Sequence, residues 1–244
     1  MLIVTADDWG LRPEVTDAIA ACWRAGAVTR ASAMVGMEDS ERAFALAAAE
    51  GLPLGLHLNL TTPFTGAAPA ASGERQAAAV AYFARPRRRL VFDPFARARL
   101  DACVADQLQA FAAAAGAPPR HADGHQHIQT CPTVLASAAL GRVESLREAH
   151  AFVAGRRSRL KWAYRAATNA AIRRRFRSHP FVSLRDVHPA LGGAGLGRLR
   201  ELAGNGSVEV MTHPAWEDER ELLLSAEWLE LVAAGSIGAA TEAP

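Results

Sequence analysis

The run Leu2-Ile3-Val4-Thr5-Ala6 is short, apolar and β-branched, and it stops abruptly at Asp7-Asp8-Trp9-Gly10. A continuous apolar run of this length marks a strand covered on both faces, as in a parallel sheet flanked by helices. Such strands carry their chemistry at their C-terminal ends, in barrels and open α/β sheets alike. The chain then alternates. A helix is expected from Pro13, with Val15, Ala18, Ile19, Cys22 and Trp23 at a 3.6-residue period and Gly26 as its stop. Residues 27–35 read as a second strand, 40–49 as a second helix closed by Gly51, and 54–60 as a third strand in which His57 and Asn59 share a face. Residues 61–73 read as a loop. Asp93 and Pro94 cap and open a helix that runs to residue 115, with Phe95, Leu100, Val104, Leu108 and Phe111 as its core-facing stripe. Residues 133–149 are expected to be helical, 207–212 form a strand ending at His213, and 221–234 form a last helix.

No internal repeat, low-complexity linker or composition break divides the chain, so residues 1–244 are expected to form one α/β domain with a basic excursion near 151–180. The net charge of +2 makes no case for nucleic acid,. The Arg-rich stretch 154–177, with Trp162, Tyr164 and Phe176, reads as a solvated amphipathic helix, and the arginines at 85–89 as a solvated turn. Residues 191–197 hold Gly-Gly-x-Gly, but no strand precedes it, so it is not a dinucleotide fingerprint. Cys22, Cys103 and Cys131 are widely spaced with no CxxC pair, which fits a reducing compartment,. There is no signal-peptide pattern and no apolar run long enough to span a bilayer, so a cytoplasmic protein is expected.

The densest chemistry lies in His121-Ala122-Asp123-Gly124-His125-Gln126-His127. If residues 123–127 are extended, Asp123, His125 and His127 point to one side, a pattern suited to a divalent ion. Four strand ends thus carry Asp7 with Asp8, His57, His125 with its neighbours, and His213. In a parallel barrel these ends converge on one rim. One carboxylate and two imidazoles make an open site for Zn²⁺ or another divalent ion, a second carboxylate offers a base, and a His opposite offers an acid. The chemistry is metal-assisted hydrolysis. A metallo-phosphoesterase would want more carboxylates bridging two metals. A non-catalytic binding protein would not need two adjacent aspartates.

Thr-Ala-Asp-Asp-Trp-Gly at 5–10, Gly-Leu-His-Leu-Asn-Leu-Thr at 55–61, Asp-Gly-His-Gln-His at 123–127 and Met-Thr-His-Pro-Ala at 211–215 stand in the order and spacing of four family signatures. Together they resemble the YdjC-like carbohydrate deacetylases, a family that includes chito-oligosaccharide and hopanoid-associated deacetylases. The resemblance implies a distorted TIM-like (β/α) barrel of the glycoside hydrolase/deacetylase type. It implies one divalent ion, magnesium or zinc, held by Asp8, His57 and His125, with Asp7 as the base that activates the attacking water and His213 as the acid. His127, Asp123, Asn59, Thr61 and Trp9 are expected to contact substrate or to support the ligands. The implied substrate is an N-acetylated amino sugar, in an oligosaccharide or a glycolipid, and family members are often homodimers. This chain departs from the pattern at Thr5, Trp9 and Gln129. Between 143 and 177 it keeps little of it beyond Leu146-Arg147-Glu148.

Overall fold

A computed structural model of the chain describes residues 1–150, 159–193, 195–204 and 206–236. Strand β1 (Leu2–Trp9) lies inside a seven-stranded sheet with β2 (Arg30–Ala33), β3 (Leu54–Leu58), β4 (His121–Gly124), β5 (Ser145–Leu146), β6 (Phe181–Ser183) and β7 (Val208–Thr212). The order is β5-β4-β3-β2-β1-β7-β6, and every neighbouring pair is parallel. Parallel pairs need crossovers, and helices supply most of them: α1 (Pro13–Arg24), α2 (Ser40–Glu50), α3 (Ala70–Phe83) and α4 (Pro94–Ala115) link the strands from β1 to β4,. The sheet curls until the segment leading into one edge strand, β6, touches the other edge strand, β5. Arg177, just upstream of β6, bridges Ser145 on β5, and its carbonyl accepts from the Leu146 amide. The result is a distorted TIM-like half-barrel.

The strands read as continuous apolar runs because helices cover them. Val4, Ala6, Leu56, Val182 and Val210 are fully buried, as is Ile19 on α1. Asp93 accepts from the amides of Phe95 and Ala96, and Pro94 opens α4 as the sequence implies,. Phe95, however, is 96% exposed and not part of the core stripe. The buried face runs through Ala96, Leu100, Cys103, Val104, Gln107, Leu108 and Phe111, and Phe95 lies one position out of that phase.

Other boundaries shift. The strand around residue 57 ends at Leu58 because Asn59 turns the chain, its Oδ1 accepting from the Thr61 and Thr62 amides. The expected loop 61–73 already enters α3 at Ala70. The helix expected over 133–149 is only α5 (Pro132–Leu135), followed by a 3₁₀ turn and β5. Of the basic excursion, residues 151–158 lie outside the described residues, and Arg159–Arg175 form α6. Beyond β6 come α7 (Leu184–Val187) and α8 (Leu196–Gly204). The single C-terminal helix is two, α9 (Glu217–Leu223) and α10 (Ala226–Ser236). No helix among the described residues is long and apolar enough to cross a membrane.

Gly55 shows how tightly β3 and β4 fit. A Cβ there would lie 2.0 Å from Nε2 of the buried His121 ring. Gly55→Ala is therefore expected to destabilise by about 1–3 kcal/mol, overriding the usual gain of Ala over Gly in a strand. Gly73, inside α3, faces open space. Gly73→Ala is expected to stabilise by about 0.5–1 kcal/mol. Urea unfolding of both variants checks the pair, and a neutral Gly55→Ala would refute the contact.

Candidate active site

Two adjacent residues on a regular strand point to opposite faces, so Asp7 and Asp8 should not reach one centre. A break in register between Ala6 and Trp9 makes it happen: β1 bulges against β2, and Asp8 adopts a left-handed backbone at φ 71°,. A non-glycine residue held there is strained, and such strain clusters at functional sites.

Asp8 Oδ1 then lies 3.2 Å from His57 Nε2 and 3.0 Å from His125 Nδ1. The other nitrogen of His57, Nδ1, is 2.6 Å from Asp123 Oδ1, and Asp123 Oδ2 accepts from Ser32 Oγ at 2.6 Å. His57 is thereby oriented by a carboxylate, with Nε2 left facing Asp8, the arrangement typical of a metal-ligating imidazole. His57 is buried, whereas the side chains of Asp8 and His125 keep 15% and 19% of their exposure, so the centre is open on one side. One carboxylate oxygen and two imidazole nitrogens lying within 4.8 Å of one another fit a catalytic divalent ion with a free position,. The electrostatics agree. Burial disfavours a charged His57, but the Asp123 and Asp7 carboxylates override it and push its pKa up to about 10,. Burial likewise opposes charge on Asp8, and hydrogen bonds from His125 and His57 hold its carboxyl well below the usual range.

Asp7 faces a different partner. Arg147, at the C-terminal end of β5, grips it bidentately through Nη1 at 2.7 Å and Nη2 at 2.8 Å. The same guanidinium reaches Asp123 Oδ2 at 2.6 Å and Glu209 Oε1 at 2.7 Å. Arg30 adds a second cation to Glu209 at 3.1 Å. All four members of the Arg147 cluster are at most 3% exposed. Burial works against the Asp7 charge, but Arg147, with His57 and His213, more than offsets it and holds the carboxyl below its ordinary range. Glu209 is held low against its burial by Arg147 and Arg30.

The extended reading of residues 123–127 does not hold. β4 stops at Gly124, and a 3₁₀ turn follows in which Gln126 and His127 take positive φ, 53° and 58°. Asp123, His125 and His127 therefore share no face. His127 turns away to meet His150, Nε2 to Nε2 at 3.2 Å, and packs against Phe181; His150 Nδ1 lies 3.2 Å from Asp186. Burial and the nearby His150 and Arg147 charges lower the His127 pKa to about 3, so its ring is neutral.

His213 follows β7, stacked on Trp216 at 4.4 Å and 16°, and its Nδ1 is buried with no hydrogen-bond partner among the described residues. Beside it, His150, Ser183, Arg185, Asp186, Met211 and Trp216 line a cavity of about 280 Å³. Trp9 is wholly buried and donates to the Ala43 carbonyl, so it belongs to the core and cannot touch a substrate. Asn59, also wholly buried, shapes the loop after β3. Thr61 is half-buried at that loop, its Oγ1 without a hydrogen-bond partner among the described residues. Arg147 and Glu209 were not among the expected site residues. The signal for Arg147 is faint: a charged residue within the short matching triplet Leu146-Arg147-Glu148.

A curled parallel sheet with a carboxylate–imidazole centre on its C-terminal rim defines an α/β half-barrel protein with a candidate metal site. The chain belongs to the YdjC-like protein family, whose model matches residues 1–234. A Homo sapiens protein named carbohydrate deacetylase is 35% identical over 148 residues, and a Xenopus laevis protein of that name is 28% identical over 138. Each alignment takes in 54% of this chain, and 42% and 44% of those proteins, so less than half of their length is matched. A crystal structure from Enterococcus faecalis V583, provisionally described as a cellobiose-phosphate cleavage protein, superposes with a TM-score of 0.63 at 21% identity, covering 96% of this chain and 94% of its own. That likeness is one of fold.

Arg147→Met would leave Asp7 and Asp123 buried without their cation, at an expected cost of about 3–5 kcal/mol near neutral pH. The pH dependence should also invert. In the wild type, Asp7 and Glu209 titrate lower folded than unfolded, so their stabilisation is present above about pH 4 and lost as pH falls below it,. In the variant, uncompensated burial raises the Asp7 pKa, so stability should rise as pH drops from about 7 to about 5. Urea midpoints across this range report the sign.

Proposed function

We propose that the chain is a metal-dependent hydrolase that removes the N-acetyl group from an acetylated amino sugar. The reading rests on the meeting of Asp8 Oδ1 with His57 Nε2 and His125 Nδ1 beside a second ionised carboxylate, Asp7. Membership of the YdjC-like family, and the name carbohydrate deacetylase borne by the human relative, support sugar deacetylation as the reaction.

Zinc or magnesium held by Asp8, His57 and His125 would supply Lewis acidity toward the acetamide carbonyl and its developing oxyanion. Asp7 takes the proton of the attacking water; a carboxyl oxygen of Asp7 lies within 4.8 Å of a His57 nitrogen. Arg147 weakens that base but keeps it ionised and fixed in place. Asp123 orients the His57 ring. His213, its ring plane held by Trp216, donates the proton that lets the amine depart, since an unprotonated amine is a poor leaving group,. Water adds to the carbonyl carbon, the C–N bond breaks, and acetate and the free amino sugar result.

A two-metal phosphoesterase is disfavoured by the same network. The second cluster, Asp7, His57 and Asp123, has both its carboxylates bonded to Arg147, so a guanidinium already serves as its cation.

The test is acetate release from N-acetylglucosamine, chitobiose and an N-acetylglucosaminyl lipid, with added Zn²⁺ or Mg²⁺ and a chelator control. Asp7→Asn should lower kcat by about 10²–10⁴-fold with metal content unchanged, which also separates an enzyme from a sugar binder. Asp8→Ala and His125→Ala should lose both metal and turnover. Protein that takes up no divalent metal, or that binds one and releases acetate from none of the panel, would sink the proposal.

A further inference from the structure

Among the described residues, four of the exposed large apolar side chains fall within six consecutive positions: Leu90 at 59%, Val91 at 54%, Phe92 at 50% and Phe95 at 96% exposure. Single exposed apolar residues need no explanation, but a contiguous run does. It is also framed by charge of one sign. Between residues 84 and 99 stand six arginines and one carboxylate, Asp93. That carboxylate is engaged, accepting from two α4 amides and from the Tyr82 hydroxyl.

The segment is built, not loose. Pro86–Arg89 form a 3₁₀ turn, and Arg88 lies over the Tyr82 ring at 4.4 Å. Cys131 Sγ donates to the Arg88 carbonyl, Thr133 Oγ1 donates to the Val91 carbonyl, and the Asp93 amide donates back to Thr133 Oγ1 at 2.8 Å. Residues 131–133 directly follow the turn His125–Thr130, so the patch is anchored next to the element that carries His125 and His127.

We propose that residues 85–95 dock the protein on an anionic lipid bilayer. Leu90, Val91, Phe92 and Phe95 would enter the headgroup boundary while the arginines meet lipid phosphates, setting the rim of the active site against the membrane. The charge favours this occupant over a second copy of the chain, because a symmetric contact through the patch would bring two arginine clusters face to face. A bilayer also accommodates side chains that project as fully as Phe95, with no preformed groove required. The inference stands on the patch alone and is independent of the deacetylase reading.

Co-sedimentation of the full chain with vesicles tests it, using phosphatidylcholine alone or with about 30% phosphatidylglycerol. Binding should need the anionic lipid and weaken as salt rises. Phe92→Ser with Phe95→Ser, and separately Arg85→Gln with Arg87→Gln, should each reduce partitioning by about tenfold or more with unchanged thermal midpoints, since these side chains are exposed. Absence of wild-type binding at low salt would overturn the proposal, as would full binding by the Phe92/Phe95 variant. So would a wild-type dimer that Phe95→Ser turns into a monomer, because the patch would then be a self-interface. The assay contains no sugar, so its failure is distinct from failure of the deacetylase reading.

Discussion

A guanidinium buried among three carboxylates sets the positions around which this centre is built. Arg147 ties Asp7 on β1, Asp123 on β4 and Glu209, near the start of β7, to its own place at the end of β5, so four strands are joined through one side chain. Burying such a cluster does little for net stability, because desolvation consumes most of the Coulombic gain. What it secures is geometry. β5 is only two residues long, too short to hold its register by ladder bonds alone, and Arg147 anchors it to the far side of the curled sheet. Asp123 passes the constraint on. Held by Arg147 and Ser32 through Oδ2, it presents Oδ1 to His57 and fixes the ring that faces Asp8.

Much of the fold is legible in the chain because its signals are local. The apolar run 2–6 with two carboxylates at its end, the Asp93-Pro94 helix start and Gly51 as a left-handed stop each depend on a few neighbouring residues. The site is legible in part for the same reason: side chains at strand ends converge once the strands are parallel, and Asp8, His57 and His125 do meet. What escapes is whatever depends on distant partners. Arg147 looks like any surface arginine until three carboxylates, 140, 24 and 62 positions away, surround it. The turn at Gln126 and His127 escapes because alternating His and Gln fit a strand, and nothing local demands positive φ of two such residues. Phe95 shows the limit of periodicity: Leu100, Val104, Leu108 and Phe111 of the expected stripe are buried, while Phe95, at its first turn, points to solvent.

The rim thus holds two polar assemblies with different tasks. One is the partly open group of Asp8, His57 and His125. The other is the closed network about Arg147, whose Asp7 and Asp123 both lie beside His57 of the open group. His127, His150 and Asp186 form a separate line of side chains, coupling the turn after β4 to α7 near the cavity lined by Trp216. Residues contributed by six different strands or the turns after them meet within a small volume, as a parallel half-barrel allows.

The bulge in β1 has a consequence for how this site can change over generations. Because Asp7 and Asp8 reach one centre only through a register break and a left-handed residue, both carboxylates depend on one local distortion. Deleting or inserting a single residue upstream in β1 would move both at once. A descendant could lose either aspartate alone only by point substitution within an intact bulge, so gradual divergence is confined to side-chain replacement here, while length variation must fall elsewhere in the chain.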